Sequence, residues 1–125
     1  MTACAGAPDG EIDAVLALVE RVESSLARGR RAGSERPAAD ELVARVTRML
    51  GALRDAPEPP DTTGRHTEAD AELLAALHVF RNAAFAFRRM ADATGRREAA
   101  LASACLGMIQ QGHDHLDRFR RASDT

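Results

Sequence analysis

The chain has no Trp, no Tyr and no Lys, and its aromatic share of 3% is four Phe residues. Without large rings, a core must close by near approach of helix backbones rather than by bulk. The same scarcity removes the stacking platforms that hold single-stranded nucleic acid, leaving only phosphate contacts for such a partner. Two cysteines, Cys4 in a loose start and Cys105 on a helical run, make no disulfide framework, and Cys105 reads as a small core residue. No apolar run approaches the roughly 20 residues of a membrane span. Met1-Thr2-Ala3-Cys4-Ala5-Gly6 carries neither a basic start nor an apolar h-region. The expectation is a cytoplasmic protein with no membrane partner.

What is present is Ala, Arg and helical periodicity. Hydrophobic residues are 45% and charged residues 29% of 125 positions, the balance of one folded domain. All 17 basic residues are Arg, a codon habit of GC-rich bacterial genomes that carries no mechanism. The net charge of -2 gives no overall attraction to nucleic acid or acidic lipid, so any such attraction needs local clustering.

Two runs dominate the pattern. Leu73, Leu77, Phe80, Ala84, Phe87 and Ala91 recur at alternating four- and three-residue steps, and so do Leu101, Cys105, Met108, Gly112, His115 and Phe119. Ala93-Thr94-Gly95 separates them, with Gly95 where a left-handed cap is wanted, so the runs form a hairpin of antiparallel neighbours. Folding about Thr94 and Gly95 sets Leu77 against Gly112, Phe80 against Ile109, Phe87 against Ala102 and Leu73 against Leu116. Upstream, Ile12, Val15, Leu16, Val19, Val22 and Leu26 mark one helix, capped by Asp9, and Leu42, Val46, Met49, Leu50 and Leu53 mark another. Pro57, Pro59 and Pro60 forbid continuation of the latter. The reading is a flexible leader over 1–8 and one domain over 9–123. Its helices lie near 10–29, 36–55, 67–94 and 96–121, with a loop over 56–66 and Thr67 opening the third helix. The fold class is all-α, a four-helix antiparallel up-down bundle with a long C-terminal helical hairpin.

Four features bear on function. The histidines His78, His113 and His115 suggest a metal, but residues two apart on a helix point about 200° away from each other. His113 and His115 therefore cannot share one ion. A His78/His115 pair, with Asp117 or Glu72 a further turn away, is the weak metal or enzymatic candidate. The Glu plus Glu-x-x-His repeat of di-iron bundles is absent, so no cofactor is expected.

Arg81-Asn82, within Leu77-His78-Val79-Phe80-Arg81-Asn82-Ala83-Ala84-Phe85-Ala86, resembles the Arg-Asn-x-x-x-His ribonuclease motif of HEPN domains, which are also small helical bundles. The resemblance covers two positions. Ala86 stands where it calls for histidine, and without that imidazole the implied RNA cleavage has no general acid or base.

In an up-down bundle, Arg28, Arg30, Arg31, Arg36, Arg88, Arg89, Arg96 and Arg97 gather at one pole, while the acids concentrate at the other. Arg36, Arg96 and Arg97 sit at helix starts, against the helix dipole, which makes the pole a candidate anion-binding surface. Finally, Leu74 and Phe85 lie off the seam of the first run and, with His78 and with Met108 of the second, mark a candidate groove for a partner or ligand.

No spaced set of acid-base or nucleophilic groups is complete. The expected function is a non-enzymatic protein-protein interaction or regulatory module, self-associating as a homodimer or binding another protein. The alternative is an anion- or nucleic-acid-binding regulator using the Arg pole, and the third reading is a metal-binding or enzymatic bundle on His78 and His115.

Overall fold

The computed structural model describes residues 3–28, 36–55, 64–90 and 92–124, with side chains placed for 10–28, 36–54, 68–90 and 92–122. Four helices follow one another: α1 (Ala3–Ala27), α2 (Arg36–Asp55), α3 (Gly64–Met90) and α4 (Gly95–Asp124).

Side-chain pairs fix the directions. Ala83 of α3 meets Cys105 of α4, while Glu72 meets Arg118, so the two helices run antiparallel. Thr47 and Asp40 of α2 meet Arg81 and Arg88 of α3, again antiparallel. Glu23 and Asp13 of α1 meet His113 and Arg120 of α4. The result is an up-down-up-down bundle in which α3 packs most extensively on α4, then on α2, while α1 lies on α2 and touches α3 and α4 thinly.

Phe80 and Phe87 of α3 are almost wholly buried among Val15, Val22, Leu42 and Ile109, each ring contributing about 1.5–3 kcal/mol relative to exposure. Around them the lining is small: Ala39, Ala76, Ala83, Ala84 and Gly112 let the backbones approach, as a core poor in rings requires. The whole expected seam of α3 is buried except Ala91, which lies outside the described residues. On α4 the buried line is Cys105, Ile109, Gly112 and Leu116, and Leu101, Met108, His115 and Phe119 of the expected stripe are only half-buried.

Several boundaries differ from the reading of the sequence, among them α4, which runs to Asp124 rather than ending near 121. Helix α1 starts at Ala3 rather than near 10, so positions 3–8 of the expected leader are helical and Asp9 lies inside the helix instead of capping it. Ala3, Ala5 and Ala7 favour this start, and Pro8 costs one rung because it has no N–H for the Cys4 carbonyl. Helix α3 starts at Gly64, inside the expected loop and ahead of Thr67, because Pro60 is the last ring that restricts its predecessor; 56–63 lies outside the described residues. Helix α3 ends at Met90 rather than near 94, where the Asp92 and Ala93 N–H groups donate to the Arg89 and Met90 carbonyls at 3.1 Å and tighten the chain into the turn. Gly95, at φ 62°, takes the left-handed conformation there that other residues resist.

Candidate functional site

Among the described residues the densest polar cluster lies between α3 and α4. Glu72 Oε1 sits 2.7 Å from His115 Nδ1, and Arg118 donates through Nε to Glu72 Oε2 at 2.8 Å. Arg118 Nη2 also lies 3.0 Å from His115 Nδ1. A carboxylate oxygen at 2.7 Å requires a proton on Nδ1, so that nitrogen donates to Glu72 and cannot accept from Arg118, and Glu72 is the acceptor that holds both side chains. The hydrogen bond from His115, then that from Arg118, holds the Glu72 carboxyl below its usual range against the opposing effect of desolvation. The arrangement ties the helix ends together and brings no nucleophile.

His78 is elsewhere. It is exposed on the α2 side of α3, in a cleft of about 270 Å³ between Thr47, Gly51 and Arg54 of α2 and Leu74, His78 and Arg81 of α3. The structure therefore separates His78 from His115, and among the described residues no group of three or more His, Cys, Asp or Glu side chains could hold a metal ion. His113 turns to α1, with Nε2 3.9 Å from Glu23 and its ring edge-on to Phe80 at 5.5 Å.

Of the expected groove, Leu74 and His78 line this cleft, whereas Phe85 and Met108 do not. Phe85 is 40% exposed with the Arg88 guanidinium 6.0 Å from its ring centre. Met108 is half-buried on α4, not far in sequence from the 40% exposed Leu106.

Arg81 has a partner that the sequence did not show. It spans α2 and α3, donating from Nη1 to Thr47 Oγ1 at 3.3 Å, with a buried Nε that has no partner among the described residues. Asn82 is exposed and Ala86 buried, so no histidine-like group completes the Arg-Asn-x-x-x-His motif. An Arg on the flank of an apolar seam was the available signal; its partner across the bundle was not.

The basic end is assembled by topology: the C-termini of α1 and α3 and the N-termini of α2 and α4 share it. Arg28, Arg36, Arg89, Arg96 and Arg97 are exposed, and among the described residues they form no ion pair. Arg88 is engaged with Asp40 at 3.1 Å. Arg30 and Arg31 lie outside the described residues.

Among the described residues no helix is long and apolar enough to cross a membrane. Compared with protein-family models, curated proteins and solved structures, the chain finds no match.

Proposed function

We propose that the protein is a non-enzymatic interaction module that self-associates as a homodimer through the uncovered side of α4. The observation that supports this most is the poor cover of that helix. Its contacts with α1 are thin and include long polar pairs, Glu23 to His113 at 3.9 Å and Asp13 to Arg120 at 3.7 Å. Leu106 is left 40% exposed on the thinly covered α1 flank of this 30-residue helix, whereas Leu101, Met108 and Phe119 turn the other way and are half-buried against the chain's own core. Apolar surface that one chain leaves wet is removed from water when a second copy covers it, and a two-fold contact uses the same patch twice.

Light scattering at low and high salt tests the reading. The parent is expected at the mass of two chains under both conditions, because apolar burial is insensitive to screening. Leu106→Glu is expected at the mass of one chain with its helical signal retained, since the side chain is already partly in water. A monomeric parent, or a variant that stays dimeric, ends the proposal.

A second reading rests on the basic end. Five exposed arginines without ion pairs among the described residues, three of them at helix starts where cations are disfavoured, support an anion-binding surface for phosphate groups or an acidic partner.

A further inference from the structure

Between α2 and α3 the bundle is not closed. Gly51 faces the opening, and a Cβ built on it would meet nothing within 4 Å. Packing therefore does not demand glycine there, and a glycine in a helix interior lowers helix propensity. What its missing side chain provides is room.

The walls are of two kinds. Leu50 and Leu74, both half-buried, give an apolar side. Arg81, His78 and the Thr47 hydroxyl give a polar one, with Arg54 also in the lining. Arg81 is incompletely satisfied: Nη1 holds Thr47 Oγ1 at a long 3.3 Å, while Nε is buried without an acceptor among the described residues. A buried guanidinium N–H without an acceptor is unfavourable, so a small oxygen acceptor that displaces the weak Thr47 contact and turns the guanidinium gains both bonds. A carboxylate matches the planar fork of a guanidinium in a way that a spherical ion does not.

We infer that this cleft is a binding site for a small carboxylate with a short aliphatic tail, the carboxylate on Arg81 beside His78 and Thr47, and the tail against Leu50 and Leu74. The site lies on the α2 side of α3 and is independent of association through α4, so either idea can fail alone.

The test titrates sodium butyrate, and separately inorganic phosphate, into the full chain while following the Arg81 Nε–H and His78 ring signals by NMR. Butyrate is expected to give saturable shifts at both residues, with phosphate about tenfold weaker or more. Gly51→Leu fills the cleft in open space, so it is expected to stay folded and lose the response. Arg81→Gln is expected to weaken butyrate about tenfold or more, in line with loss of a charged hydrogen bond. Shifts that drift linearly with both anions, or a Gly51→Leu protein that responds like the parent, would overturn the site. Saturation by phosphate alone would overturn the carboxylate assignment.

Discussion

Burial pushes the Cys105 thiol up to about 12, because a thiolate at that position would lose its water. The protonated form is also held by its neighbour, Sγ–H donating to the Ala83 carbonyl at 3.3 Å. The folded value lies above the ordinary 9.0, so the unfolded chain binds fewer protons between the two values. The thiol's contribution to stability is therefore fully present below about pH 9 and is lost as pH rises toward 12. A chain without Lys or Tyr makes this visible, since little besides Cys105 and Cys4 titrates in that window. Thermal melts at about pH 8 and about pH 11 should show a marked alkaline loss in the parent and a smaller one in Cys105→Ala. Equal losses would mean that Cys105 ionises as readily folded as unfolded. The same burial predicts that the thiol resists alkylating reagents until the bundle opens.

Two glycines of α4 separate packing from propensity. At Gly107 an added Cβ meets nothing within 4 Å, so Gly107→Ala should raise stability by about 0.5–1 kcal/mol through propensity alone. At Gly112 the added atom falls against the buried Phe80 ring, 2.7 Å from Cδ1 and 2.8 Å from Cζ. Gly112→Leu should therefore lower it, by roughly 1–3 kcal/mol beyond any helix gain. Thermal melts compare the two directly, and a Gly112→Leu protein melting at or above the parent would show that Phe80 has room. The hairpin, its turn at Gly95 and the closeness at Gly112 were all legible in the sequence, because leucine, phenylalanine and glycine recur at helical steps. The partner was not: the reading set Leu77 over Gly112, whereas Phe80 lies there. The register itself held, since Ala83 meets Cys105 and Glu72 meets His115 close to the expected alignment; the Phe80 ring leans back along α3 toward its N-terminus and so reaches Gly112, a side-chain direction that periodicity does not encode. Similarly, Leu74 and His78 were marked as a groove from their place off the seam, but Thr47, Gly51 and Arg81 join them only through the α2–α3 pairing, which no pattern within one helix encodes. The start of α1 was missed because Pro8 reads as a boundary while the alanines before it favour helix.

At the scale of the whole molecule, a net charge of -2 conceals a polarised surface. Arg28, Arg36, Arg89, Arg96 and Arg97 stand exposed at one end, whereas the acids of the opposite half are partly used within the fold, Glu72 by His115 and Arg118, and Asp13 by Arg120. Helix dipoles account for arginines at the ends of α1 and α3 but not for those at the starts of α2 and α4, where they meet unsatisfied N–H groups of the same sign. Anions would relieve that repulsion through phosphate-type contacts. Heparin chromatography reads this directly. The parent is expected to bind at low salt and elute as screening rises, since contacts between exposed charges weaken once the Debye length falls below about 10 Å. Arg96→Glu with Arg97→Glu should abolish retention while leaving the melting temperature close to the parent's, because both side chains are exposed and their replacement by acids favours the start of α4. Flow-through of the parent at low salt would leave these arginines as a solvated end, and unchanged retention of the variant would place the anion elsewhere.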